Sequence, residues 1–217
     1  MPTERFYRLP EGKKQVIREA AIKEFVRVPF DRASINQIIR NADISRGSFY
    51  TYFVDKHDVV EFLLEDQFQQ MKKFCEEELR ENHGDYFAMV EHLFDFFVET
   101  LQKNPDMVQL ARNLFADREN NELVGMKAWP KLACLEMQEG VPSQWMDQKI
   151  DKSCYRPEIA KDFSPLMILA MSSLTIALKQ FYEYPEYLDS IRKRFLKSLD
   201  ILRWGSYAER EPDIGAG

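Results

Sequence analysis

Residues 34–56 read Ser-Ile-Asn-Gln-Ile-Ile-Arg-Asn-Ala-Asp-Ile-Ser-Arg-Gly-Ser-Phe-Tyr-Thr-Tyr-Phe-Val-Asp-Lys, two short helices each opened by a cap. Ser34 stands at an N-cap position with Gln37 three residues on. This is the spacing of a capping box, in which each side chain takes an orphan backbone N–H of the first turn. Ile35, Ile38, Ile39 and Ala42 then share one face at helical spacing. After Asn41-Ala42-Asp43-Ile44, Ser45 opens a second helix, with Ile44 and Phe49 placed as a hydrophobic staple. Phe49 and Phe53 are four apart and turn inward, which leaves Arg46, Gly47, Ser48, Tyr50 and Tyr52 on or near the outer face. Asp55, with Asp58 at N3 and Val54 and Val59 as a further staple, opens a third helix.

Two capped helices joined by a tight connection make a helix-turn-helix, a unit that places its second helix in the major groove of DNA. Such a hairpin also suits all-α domains that touch no nucleic acid, so the outer face decides between them. A recognition helix needs small residues at its start for close approach, donors for phosphate, and a side chain that reaches a base edge. Gly47 and Ser48 supply the first; Tyr50, Tyr52 and Lys56 the second; Arg46 the third.

From Lys14 to about Leu64 the chain resembles the DNA-binding domain of TetR-family transcriptional regulators. In that pattern a first helix ends in an aromatic and a capped second helix follows. The third reads roughly Ser-Lys/Arg-Gly-Ser/Thr-Phe/Leu-Tyr-x-Tyr/His-Phe, followed by a Lys. Ile17, Ala20, Ala21 and Phe25 match the first helix, Ser34 and Ile38 the second, and residues 45–53 with Lys56 the third. One departure is visible: many members carry Gly after the first helix, where this chain has Pro29, so the turn into Phe30 must be built differently.

The resemblance implies an all-α fold. An N-terminal three-helix DNA-binding domain, residues 1–56, is followed by a larger helical ligand-binding and dimerisation domain, 57–208, and a polar tail, 209–217, expected to be disordered. It implies a sequence-specific regulator, most often a repressor, that works as a homodimer on a palindromic operator in double-stranded DNA and answers to a small-molecule effector. Ser34, Ser45, Arg46, Gly47, Ser48, Tyr50, Tyr52 and Lys56 are the expected DNA-binding residues. Arg46 is the base reader, through the bidentate fork an arginine offers to guanine.

Charge fits that division. The 217-residue chain has a formal net charge of −6, but the first 58 residues hold 11 Lys and Arg against 8 Asp and Glu, and the rest 19 against 28. A basic head on an acidic body suits a protein that meets phosphate at one end. Cys75, Cys134 and Cys154 are odd in number and lack metal or redox spacing, so reduced thiols are expected. No signal peptide is apparent, and the most apolar run, Pro165 to Leu178, is broken by Ser172, Ser173 and Thr175. The chain is expected to be soluble and cytoplasmic, with no membrane partner.

Beyond Asp55 the periodicity stays helical. Helices are expected from Asp55 to Glu81, from Asp85 to about Asn104, from Pro105 to Ala116, from Ser164 to Tyr182, and from Pro185 to Trp204 with Gly205 as its stop. Residues 117–162 are interrupted by prolines and read only as fragments, among them 131–138 and 143–150. Two apolar stripes close the chain, one with Leu166, Leu169, Ala170 and Leu174, the other with Leu188, Ile191, Phe195, Leu199 and Leu202. The stripes alone suit plain core packing; the TetR-family resemblance implies that these two helices form a dimer interface, with Leu174 and Phe195 as candidate contacts.

Phe87, Phe94, Phe97, Met107, Met167 and Met171 are candidate lining for an apolar effector pocket, although the same residues equally suit a plain core. No cofactor is expected. His83 and His92 lack spaced Cys or Asp partners, which argues against a metal site. There is no phosphate loop, nucleophile elbow or zinc motif, and Glu76-Glu77-Glu78 point in different directions around a helix; no catalytic residue is assigned. The alternative from another class is a DNA-binding architectural or protein-interaction module with a closed, ligandless core.

Overall fold

The computed structural model describes residues 2–115 and 144–207. The expected fragment 131–138, Cys134 and the tail 209–217 lie outside the described residues. Eleven described helices follow in chain order: α1 (Glu4–Tyr7), α2 (Glu11–Arg27), α3 (Ile35–Asn41), α4 (Arg46–Tyr52), α5 (Lys56–Glu81), α6 (Tyr86–Gln102), α7 (Pro105–Phe115), α8 (Gln144–Asp147), α9 (Pro157–Lys161), α10 (Ser164–Glu183) and α11 (Leu188–Ser206). Among the described residues no strand forms, and the fold is all-α, an N-terminal helix-turn-helix followed by a helical C-terminal domain. Packing divides the described residues into two compact units, 2–73 with 99–115 and 74–98 with 144–207.

In the first unit, α2 buries Ile17, Ala20, Ala21, Glu24 and Phe25, the spacing of one helical face, and packs on α3 and α7. Glu24 on that face is fully buried. Its carboxylate accepts from Arg27 Nε and Nη2 at 3.0 and 2.8 Å and from the backbone N–H of Ser34 at 2.8 Å. The expected Ser34–Gln37 capping box is therefore not made. Ser34 is the N-cap residue of α3 but its side chain makes no cap bond, and the Gln37 amide donates to Asn41 Oδ1 at 3.0 Å instead. The reason is competition: the N–H that Gln37 would have satisfied already belongs to a buried, charged acceptor, the stronger partner. Glu24→Ala is expected to leave that amide unsatisfied and to cost about 1–3 kcal/mol of stability, read as a lower urea midpoint at unchanged slope.

The turn at Pro29 is built without a left-handed residue. Val28 (φ −143°, ψ 157°) and Pro29 (φ −55°, ψ 154°) are extended and lead into a 3₁₀ turn at Phe30–Arg32. Carbonyls that a glycine C-cap would have served are taken by side chains from elsewhere in the unit. Asn113 Nδ2 on α7 donates to the carbonyls of Phe25 and Val26, both at 2.8 Å; past the helix end, Lys56 Nζ holds the 3₁₀ turn by donating to the carbonyls of Phe30 and Asp31 at 2.6 and 2.9 Å. Between α3 and α4, Asp43 takes φ 50° and the N–H groups of Asp43 and Ile44 return to the carbonyls of Arg40 and Ile39, closing a Schellman motif. Asp55 caps α5 by accepting from the N–H groups of His57 (2.7 Å) and Asp58 (3.2 Å), and Asp58 reaches back to the N–H of Val54 at 2.8 Å. The expected Val54–Val59 staple does not form: Val59 is buried, but Val54 is 73% exposed, since the bond to Asp58 fixes its backbone while the side chain faces outward.

In the second unit, Asp85 caps α6 through the N–H of Ala88 at 2.9 Å. Gly84 before it has φ +86°, and a Cβ there would lie 2.4 Å from the backbone N of Asp151, so the turn admits only glycine. Helices α10 and α11 are joined by a 3₁₀ turn at Pro185–Tyr187 and pack on each other. Arg192 on α11 holds Asp95 on α6 with two bonds of 2.8 Å, and Phe195 stacks on Phe94 at 5.0 Å. Helix α11 continues through Gly205 to Ser206 rather than stopping at the glycine. By length and composition α10 could cross a membrane; 44% of its apolar window is buried inside the protein, Leu166, Ala170, Leu174 and Phe181 among the buried residues.

Candidate nucleic-acid interface

Helix α4 owes its position to two buried rings. Phe49 and Phe53 are fully buried and 5.3 Å apart, so the opposite face turns outward. Its start is fixed by Ser45, whose Oγ accepts from the N–H of Ser48 at 3.0 Å and lies 2.9 Å from the Ser48 hydroxyl. Here the expected cap is present. The first turn then offers Arg46 and Gly47 to solvent, with Ser48 half-buried beside them. The Arg46 guanidinium lies 5.6 Å from the centre of the exposed Tyr50 ring, a cation–π contact that holds both at the helix surface.

Arg46 and Tyr50 line an open cleft of about 360 Å³ together with Ser34, Asn36, Asp55, Lys56 and His57. Four of the eight expected DNA-binding residues thus meet in one depression between the start of α3, the outer face of α4 and the start of α5. Ser45, Gly47 and Ser48 continue the surface on the first turn of α4. Tyr52 stands apart, half-buried with its ring edge-on to Phe6 at 6.1 Å. Lys56 is at the cleft, but its ammonium already serves two carbonyls and lies 4.5 Å from the centre of the Phe30 ring.

Asn36 and His57 line the cleft without having been singled out in the sequence. His57 packs on Phe30 at 4.8 Å and lies 3.4 Å from Asp55. Burial raises the Asp55 carboxyl, but the N–H groups of Asp58 and His57 outweigh it and hold the group below the usual carboxylate range. One negative charge thus sits among the cationic groups of the cleft.

Gly47 is informative because no packing among the described residues asks for it. A Cβ there would meet only Ser45 Oγ, at 3.9 Å, and the backbone is ordinary helix. Glycine in a helix costs up to about 1 kcal/mol against alanine, and no packing demand among the described residues offsets that cost here. Gly47→Ala is expected to raise thermal stability by roughly 0.4–1 kcal/mol and to lower DNA affinity, opposite signs that a melting curve and a binding titration read separately.

Of the candidate pocket residues, Phe87, Phe94, Phe97, Met167 and Met171 are buried in the second unit, while Met107 belongs to the first. Phe94 is stacked on Phe195, Phe87 adjoins Tyr155 and Tyr207, and the Met167 carbonyl accepts from the Tyr86 hydroxyl at 3.3 Å. Among the described residues no group of His, Cys, Asp and Glu is spaced to hold a metal.

Fold and cleft together define a helix-turn-helix head with an open cleft that brings Arg46 and Lys56 together. The family model described as "Bacterial regulatory proteins, tetR family" matches residues 17–63. An uncharacterized HTH-type transcriptional regulator, YwcC of Bacillus subtilis (strain 168), is 36% identical over 73 residues, 30% of this chain and 32% of that protein. The match thus spans about a third of that relative's length. A crystal structure of a TetR family transcriptional regulator from Chloroflexus aurantiacus J-10-FL aligns with 96% of this chain and 100% of that one, at 22% identity and a TM-score of 0.44. Both sequence likenesses are thus partial: the family model covers residues 17–63 of the 217, and the curated relative is matched over 73 residues.

Proposed function

We propose that this protein is a cytoplasmic, homodimeric transcriptional regulator, a repressor whose affinity for a palindromic operator is controlled by an apolar small molecule. The observation that carries the reading is the cleft that gathers Ser34, Arg46, Tyr50 and Lys56 beside the unencumbered Gly47. In it Arg46 reads a guanine edge, Ser45, Ser48 and Tyr50 meet phosphates, and Tyr52 adds its hydroxyl from the flank. Lys56 contributes positive charge while it fastens the start of α5 to the turn after α2. We take residues 1–56 as the DNA-binding domain and 57–208 as the effector-binding and dimerisation domain.

Dimerisation is supported by what α10 and α11 leave outside. Leu174 and Phe195, the candidate contacts, are buried within the second unit, and the exposed apolar residues are Ile168, Leu169, Ile176 (59% exposed), Ile201 (66%) and Trp204 (73%). These become the proposed interface, because one short recognition helix reads too few base pairs alone. Selection of bound duplex from a random pool tests the reading. The expected product is a two-fold symmetric site with half-sites about 34 Å apart or a multiple of it; no enrichment would refute it. Effector control requires reciprocity: operator must weaken effector binding by the factor, roughly 5- to 150-fold, by which effector weakens operator binding.

A further inference from the structure

Residues 3–9 precede the stretch that matches the TetR family, yet they are built into the DNA-binding head. Phe6 on α1 is 1% exposed, with its ring 4.8 Å from Phe53 and 4.6 Å from Phe62. Tyr7 donates to Glu65 Oε2 at 3.2 Å. Thr3, just before α1, makes two bonds to the end of the recognition helix: its N–H donates to the carbonyl of Tyr52 at 2.9 Å and its Oγ1 to the carbonyl of Thr51 at 2.7 Å.

The last carbonyls of a helix have no partner within it, and a seven-residue helix is too short to hold its final turn by itself. We propose that residues 3–8 are a clamp on the C-terminal end of the recognition helix, with Thr3 as its positioning residue and Phe6 as its anchor. The capped start of α4 at Ser45 and the clamped end at Thr51 and Tyr52 then fix the helix at both ends, so that Arg46 and Tyr50 are presented in one orientation. The proposal rests on the DNA-binding reading for its functional effect, but the clamp itself is measurable without DNA.

Thr3→Val keeps the volume and the backbone bond and deletes only the hydroxyl; Thr3→Ser restores it. Amide exchange in the full chain should quicken at residues 50–53 in Thr3→Val, stay at the wild-type rate at residues 38–41, and recover in Thr3→Ser. Unchanged exchange at 50–53 overturns the clamp, whatever the chain binds. On a duplex selected by the wild type, Thr3→Val should lose roughly 2- to 10-fold in affinity, with random duplex bound as before and Thr3→Ser close to wild type. Equal losses on selected and random duplex, or a melting point lowered by more than about 5 °C, would make Thr3 a general stability residue and overturn its positioning role. A wild type that shows no preference for any duplex would refute the DNA-binding reading instead, and the exchange result would stand on its own.

Discussion

Arg46→Ala is expected to weaken binding to the selected duplex by about 1–3 kcal/mol, roughly 5- to 150-fold, and to relax base preference at one position of each half-site. The side chain is exposed at the first turn of α4, lies against the Tyr50 ring and lines the cleft, so its loss removes no buried contact among the described residues. Stability should stay within about 0.5 kcal/mol of the parent. A titration series over duplexes varied one base pair at a time checks it. The role fails if the variant loses equally on every sequence, since Arg46 would then contribute charge alone.

Ile176→Glu should have the larger effect. Ile176 is 59% exposed on α10, so the protomer itself tolerates the carboxylate, whereas a two-fold interface would bring two such charges into an apolar contact. The expected result is a folded monomer in sedimentation whose affinity for the full site drops about 100- to 10,000-fold, because two linked half-sites become one. Leu174→Glu is the contrasting control: Leu174 is 2% exposed, and the same charge there should unfold the second unit rather than separate the protomers. Dimers that persist in Ile176→Glu at the parent's dissociation constant would place the interface on another face.

What could be read from the sequence follows from how local each feature is. The cap at Ser45 involves residues three apart, and that at Asp55 residues two and three apart, so spacing alone revealed them. The cap at Ser34 looked the same, but its amide is taken by Glu24, ten residues earlier, a pairing visible only once α2 and α3 are packed. The one hint was a carboxylate on the apolar face of Ile17, Ala20, Ala21 and Phe25. Lys56 lines the cleft, but the carbonyls its ammonium serves are 25 and 26 residues away, a pairing that no local spacing shows.

On α10 and α11 periodicity found apolar stripes but could not tell the residues used within the pair from those left over. Leu174 and Phe195 went to the core, Ile176, Ile201 and Trp204 to the surface. Helix α1 has four residues and one buried ring, too few to show any period. Gly205 has open space around it and ordinary helical backbone, so it did not end α11 as a glycine with positive φ would have.

Whether this head distinguishes one DNA sequence from another decides the functional reading. Equilibrium titration of the full chain against the selected duplex and a scrambled duplex of the same length, at a series of salt concentrations, measures that directly. The expected result is a preference for the selected duplex of roughly 1,000-fold or more, with both affinities falling linearly in log–log form as salt rises. Equal affinity for the two duplexes at every salt concentration would contradict it.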